Sequence, residues 1–353
     1  MTKRDFVFMF SSVREWKNTE HLLLRICGLG YPVHAVLSTN PNPEIETLRR
    51  LVGAAGFPLH EILVSQKEAK KRKLGKGNVC RLINLLTKEL DPGLTLQAAN
   101  HYHLSPFDVF RKFKQFTITA ALQWGIADLV PELCVDKYLM FGSFSKDELT
   151  AKGVPANRLF VVGNPGWDSL KEMKIEDNNS IVYYAQTRHT PKRIIIDQLH
   201  LDQLLSYFPD KHLIIKEHPA RYGEYAPYAK YPRITVIQDQ VETVDLLRQA
   251  SINITTGSTC AVESMLLGKP TIVLNISKGD IYIPSGQVIT TDFDTLRKRC
   301  EALFKGVVFN EEQLERFKER IAYSYKTYDA TDRVIEVLLG WFHHGESTSR
   351  PRF

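Results

Sequence analysis

Short apolar runs of strand length alternate along the chain with longer segments whose apolar residues recur every three to four positions. The runs at 6–10, 33–38, 61–64, 94–98, 116–122, 137–141 and 159–162 predict strands. Helices are expected at 19–28, closed by Gly28-Leu29-Gly30, and at 43–55, opened by Pro43 and closed by Gly56. Further helices are expected at 79–90, near 106–112 and at 145–152. Strand and helix in alternation predict a parallel, doubly wound sheet. After Asn164-Pro165-Gly166 and a polar stretch the pattern restarts, with strands at 181–185, 212–216, 234–238, 251–255 and 271–275. Helices are expected there at 192–207, 242–248 and 259–267, then a mostly helical tail at 294–305 and 310–341. No solenoid period is present. The organisation predicts one Rossmann-like domain at 1–165, a linker at 166–180, a second Rossmann-like domain at 181–325 and a helical tail at 326–353. Two such sheets imply a cleft between the halves, with ligands beyond the carboxyl ends of the strands.

Composition narrows the class. The chain has 353 residues, 43% hydrophobic and 24% charged, which excludes wholesale disorder, collagen and coiled coil. No apolar stretch approaches the roughly 20 residues of a membrane span. The N-terminus reads as a first strand rather than a signal peptide. Five scattered cysteines without a CxxC pair predict reduced thiols in a cytoplasmic protein, and neither a zinc site nor a disulfide framework. The net charge of +6 permits nucleotides, anionic lipid or nucleic acid. Part of it lies in the basic run from Lys67 to Lys76. That run reads as a solvated loop or as a docking patch for an anionic membrane or acidic acceptor. It lacks the interleaved aromatics of a nucleic-acid surface, so no nucleic-acid partner is expected.

The strongest chemical signal is the run Thr255-Thr256-Gly257-Ser258-Thr259-Cys260-Ala261-Val262-Glu263, where an apolar strand enters a hydroxyl-rich turn and then a helix. Backbone N–H groups at a helix start suit a phosphate, with Gly257, Ser258 and Thr259 forming the turn and Glu263 placed to accept from a ribose diol. The same residues also read as an ordinary N-cap with a favoured acid in the first turns. Lys216-Glu217-His218-Pro219 closes another strand, where Lys216 can offset nucleotide charge and His218 can donate to a phosphate or leaving group; a structural histidine is the bland alternative. Arg188, in the loop after the first strand of the second half, is a further donor-side candidate. In the first half, Glu15, His101 and His103 follow strands and offer groups to deprotonate an acceptor, and Gln123 and Trp124 follow another strand on the acceptor side. His101 and His103 have no third ligand at sensible spacing, and no Asp-x-Asp motif is present, so no metal and no cofactor are expected. P-loop, GxGxxG and GxSxG motifs are absent.

Several passages resemble a known group. Asp136 to Gly142, Glu148 to Val154, and Arg158 to Asp168 resemble a stretch common in GT-B glycosyltransferases. Lys216-Glu217-His218-Pro219, Gly257-Ser258-Thr259 with Glu263-Ser264 and Gly268-Lys269-Pro270, and Asp329-Ala330-Thr331-Asp332-Arg333-Val334 are similar to bacterial surface-polysaccharide transferases. That group includes CDP-glycerol glycerophosphotransferases, capsular Kdo transferases and polysialyltransferases. Gln123-Trp124-Gly125 resembles its Gln-His-Gly turn, with Trp in place of His. The resemblance covers most of 116–340. It implies a GT-B fold and a metal-independent glycosyltransferase, cytoplasmic or peripheral at the inner membrane. Such an enzyme would move a sugar or glycerol-phosphate-type unit from a nucleotide donor to a cell-surface glycan or glycolipid acceptor. By the same resemblance His218 and the Ser258-Thr259 turn would hold the donor phosphate and Glu263 the ribose. The alternative is an enzyme like the UDP-N-acetylglucosamine 2-epimerases, whose chemistry needs carboxylates to move a proton at C2. The first-half loops supply few of these: Glu15, Asp108 and Asp128. A non-catalytic nucleotide- or glycan-binding module is the third reading.

Overall fold

The computed structural model describes residues 4–39, 44–65, 68, 76–90, 92–97, 117–123, 125, 129, 135–185, 201–218, 223–238, 242–256, 258–274, 281–289, 292–323, 325–327 and 329–347. The chain divides into two compact units, residues 1–168 with 322–353, and residues 169–321.

In the first unit the elements run β1 (Asp5–Phe10), α1 (Val13–Gly28), β2 (Val33–Thr39), α2 (Glu44–Ala54), β3 (Leu59–Leu63), α3 (Lys76–Asn84), β4 (Pro92–Gln97), β5 (Ile118–Leu122), β6 (Lys137–Met140), α4 (Ser143–Ala151) and β7 (Leu159–Val161). Helix α3 continues into a π-helical turn at Leu85–Glu89. The strands form one parallel sheet in the order β3-β2-β1-β4-β5-β6-β7. Strand β1 is apolar from Phe6 to Phe10, where both its faces are covered. Phe6, Phe8 and Phe10 face one core with Trp16 and Leu22, while Val7 and Met9 face another with Leu82 and Leu85.

The second unit contains β8 (Ser180–Tyr184), α5 (Leu201–Tyr207), β9 (His212–Lys216), β10 (Ile234–Ile237), α6 (Thr243–Gln249), β11 (Ile252–Thr255), α7 (Thr259–Leu266), β12 (Thr271–Leu274), β13 (Val288–Ile289), α8 (Phe293–Phe304) and α9 (Glu311–Ile321). Its sheet is also parallel, in the order β10-β9-β8-β11-β12-β13. Both domains are Rossmann-like, as the alternation of elements predicts. In each sheet the strand order reverses once, at β1/β4 and at β8/β11, and such reversals open a crevice at the carboxyl ends.

The final helix, α10 (Ala330–Ser347), belongs to the first unit. Phe342 stacks on Phe6 with ring centroids 4.9 Å apart, and Gly93 makes room for it. A Cβ on residue 93 would stand 2.4 Å from the Phe342 ring. The start of α10 is capped from a distant point in the chain, since the Asp168 carboxylate accepts from the N–H groups of Ala330 (3.1 Å) and Thr331 (2.7 Å). The stretch expected as linker begins inside the 3-10 helix Pro165–Glu172, and the units divide within that helix, between Asp168 and Ser169. The first helix is longer than expected. Ser12 is its N-cap, so the residues read as a loop after β1 form its first turn.

Candidate functional site

The second unit builds its carboxyl edge on a buried polar network. The Asn253 amide accepts from the Tyr184 hydroxyl (3.0 Å) and donates to Leu247 O (3.1 Å) and Ser264 Oγ (2.9 Å). Ser264 Oγ pairs in turn with Thr271 Oγ1 at 2.7 Å. The chain of bonds joins β8, β11, β12, α6 and α7, and a satisfied buried network of this kind fixes one arrangement. Burial, then the nearby Cys260 and Glu263, push the Tyr184 hydroxyl well above its ordinary pKa. It therefore stays a neutral donor to Asn253 at any physiological pH.

Helix α7 begins on this base. Ser258 is its N-cap, its Oγ accepting from Cys260 N at 3.4 Å, and Tyr282, packed on Phe317, donates from its hydroxyl to Ser258 O at 2.7 Å. The bland reading of Ser258 as a cap is thus realised, and it leaves the function of the turn open to its neighbours. The hydroxyls of Thr255 and Thr256 are buried and make no hydrogen bond. Two unspent hydroxyls leading into a helix start leave donors in place for an anion. Glu263 lies one turn into α7, half-buried.

Strand register sets the second group beside the first. Tyr184 is opposite Thr255 on one side and Lys216 on the other, so β9 and β11 end level, about 10 Å apart at ordinary strand spacing. Lys216 is buried at the end of β9, with Nζ donating to Glu217 O at 3.3 Å, and His218 follows, half-buried. Sequence reasoning missed Glu217. Its carboxylate is 1% exposed and accepts from the N–H groups of Gly223 (2.7 Å) and Tyr225 (2.5 Å). This ties Gly223 and Tyr225 to the end of β9. The available signal was an acid between Lys216 and His218 at a strand end, where solvation alone would be its usual fate.

In the first unit, Glu15 is buried in the first turn of α1. Its carboxylate accepts from the Ser11 N–H and, at 3.0 Å, from Ser11 Oγ, while Ser12 Oγ accepts from Glu15 N at 3.3 Å. This is a capping-box variant. Glu15 also lines a small, partly open hollow with Asn18, Thr19, Gln123, Phe141 and Asn164. Gln123 is fully engaged: Nε2 donates to Gly125 O (3.1 Å) and Ser145 Oγ (2.9 Å), and Oε1 accepts from Phe141 N (2.9 Å). It fastens the end of β5 to the end of β6 and has no amide group left over. His101, His103, Trp124, Arg188 and Gly257 lie outside the described residues, as does most of the run from Lys67 to Lys76. Among the described residues no group of three or more His, Cys, Asp or Glu is placed to hold a metal, and no helix is long and apolar enough to cross a membrane.

The two parallel sheets, each with its crevice at a strand reversal, define a GT-B-type pair of Rossmann-like domains. Solved structures share the fold over the full length. A candidate UDP-N-acetylglucosamine 2-epimerase from Listeria monocytogenes is similar with a TM-score of 0.71 at 19% identity, covering 100% of this chain and 99% of that one. The UDP-GlcNAc 2-epimerase of Neisseria meningitidis bound to UDP-GlcNAc gives 0.69 at 14% identity, covering 95% and 100%. A glycosyltransferase from Rickettsia africae gives 0.62 at 11% identity, covering 99% and 100%. No family model and no curated protein matches the chain.

These findings correct the expectation of a surface-polysaccharide transferase. UDP-GlcNAc 2-epimerases account for five of the best-matching structures and favour the alternative reading. The physical reason lies in what the resembling motifs do. The turn before α7 and the Lys216–His218 strand end offer groups suited to a phosphate, which a transferase and an epimerase would both use. They carry no information on whether a sugar leaves for an acceptor or changes at its own carbon.

Proposed function

We propose that the chain binds a UDP-type nucleotide sugar and inverts it at C2, in the manner of a UDP-N-acetylglucosamine 2-epimerase. The observation that carries this reading is the full-length likeness to epimerase structures, one of them bound to UDP-GlcNAc and another to UDP-GlcNAc and UDP. The second unit's edge is consistent with it. The start of α7, the unspent Thr255 and Thr256 hydroxyls, Thr259, and Lys216 with His218 would hold the diphosphate, and Glu263 the ribose. Inversion requires a base to take the C2 proton from one face and an acid to return it on the other. Glu15, lining the hollow at the carboxyl end of β1, is the described carboxylate best suited to move that proton. A diphosphate held by helix N–H groups and cationic side chains is stabilised as negative charge builds on it.

The test is incubation with UDP-GlcNAc and no acceptor, followed by NMR. Signals of the C2-epimerised sugar are expected. Their absence, with the sugar nucleotide bound and unchanged, overturns the reading. His218→Ala is expected to remove most turnover without changing the melting temperature.

A further inference from the structure

The second unit holds a thiol in an unusual place. Cys260 is the second residue of α7 and half-buried. Ser258 Oγ donates to its Sγ at 3.3 Å. The amino end of a helix favours a thiolate, and a hydroxyl donor adds to that preference. Thr255 provides an independent sign that this spot is built to receive a group. It is 1% exposed and its hydroxyl has no partner. Alternation along β11 puts it on the face of Asn253, whose amide bonds Ser264 of α7. The unspent hydroxyl therefore lies on α7's side of the sheet, at the strand's last residue before the turn.

The other described cysteines lack this setting. Cys300 sits in the apolar core, where burial pushes its thiol up to about 12. Cys27 is exposed but lies in the last turn of α1, at the carbonyl end that disfavours an anion. Cys80 is exposed midway along α3, away from either end.

We propose that Cys260 is an S-thiolation site that closes the phosphate turn to nucleotide. The closing half of this rests on the reading that the turn holds a diphosphate. The Cys260 thiolate attacks one sulfur of a small disulfide. A bond forms between Sγ and that sulfur, the original S–S bond breaks, and the departing thiolate takes a proton from water. The adduct then occupies the space before the start of α7, and a reducing thiol reverses the step.

The experiment uses the full chain and oxidised glutathione, with peptide mass mapping over time and UDP binding measured by calorimetry. Cys260 is expected to be modified at least tenfold faster than Cys27 or Cys80, and Cys260→Ala to lose the fast phase. The modified protein is expected to bind UDP at least tenfold more weakly, with affinity restored by dithiothreitol. Equal modification of Cys260, Cys27 and Cys80 overturns the thiol assignment, and unchanged UDP affinity after modification overturns the closing step. Failure of the unmodified protein to bind UDP overturns the closing step together with the function reading, while the rate comparison among the cysteines still decides the thiol assignment by itself.

Discussion

The two units carry the same sheet plan and spend their polar groups differently. At the carboxyl edge of the first, Gln123 uses both amide hydrogens and its oxygen within the fold, and Glu15 is bonded to Ser11. At the edge of the second, the network under α7 is equally well satisfied, but the two threonine hydroxyls leading into the turn are left over. Burying an unpaired hydroxyl costs on the order of 1–3 kcal/mol. The comparison separates an edge where Gln123 and Glu15 bond within the fold from one where two threonine hydroxyls do not, although the first unit also buries Trp16 Nε1 without a partner. Glu15 stands between these cases, bonded to Ser11 within the fold and also lining the hollow.

The largest expected effect probes the first unit as a structural body. Phe342→Ala removes a fully buried ring stacked on Phe6, and a loss of about 3–5 kcal/mol is expected from such a truncation. Gly93→Ala acts on the same contact from the other side, because its Cβ would collide with that ring. Denaturant melts of both variants check this, and a native-like midpoint for either would mean that α10 does not anchor the first core.

Next is Glu15→Gln. The amide keeps an oxygen for the Ser11 donors, so the midpoint should move little, while C2 inversion should fall about a hundredfold if Glu15 moves the proton. Unimpaired inversion would return Glu15 to the purely structural side of the comparison. Asn253→Ala should do the reverse in the second unit. It strips partners from Tyr184 and Ser264 and should cost about 1–3 kcal/mol, with weaker UDP binding as the start of α7 loses its support. Calorimetry on one sample reads both quantities, and a stability loss with unchanged UDP affinity would uncouple the network from the site.

Much of this molecule is legible in the sequence, for a definite reason. Parallel strands covered on both faces become nearly unbroken apolar runs, so the cores of β1, β8 and β9 stand out from their surroundings. Strand β13, two residues long, is too short to leave a pattern. The first turn of α1 was hidden by its polar residues, although Ser12 and Glu15 at capping-box spacing carried the signal. Glu217 was illegible because its role depends on where Gly223 and Tyr225 return in space. The choice between transfer and epimerisation was illegible because the motifs that stand out suit a phosphate, and that chemistry is common to both.

The smallest expected effect is a pH dependence that belongs to the first unit. His34 Nδ1 and His60 Nε2 are 3.1 Å apart across β2 and β3, with Asp5 at 3.6 Å from the far side of His34. Burial first, then His34, lowers the pKa of His60 against the opposing pull of Glu89. His21 is likewise lowered chiefly by burial, with Asp168 opposing. A histidine depressed in the folded state takes its proton later than in the unfolded chain. Its contribution is therefore present above the ordinary value of 6.5 and lost as pH falls through the folded value. Carboxylates with lowered values, such as Glu61 in the first unit and Asp177 in the second, act only below their ordinary values of 4.5 and 3.8. Between pH 7 and about 5 the melting temperature should thus decline, and His60→Gln should flatten the decline in part, since His60 is incompletely buried and solvent screens it. An undiminished slope in His60→Gln would move the effect to His21 and its neighbours at the start of α10, and a flat wild-type profile would remove histidine titration from the account of the first unit altogether.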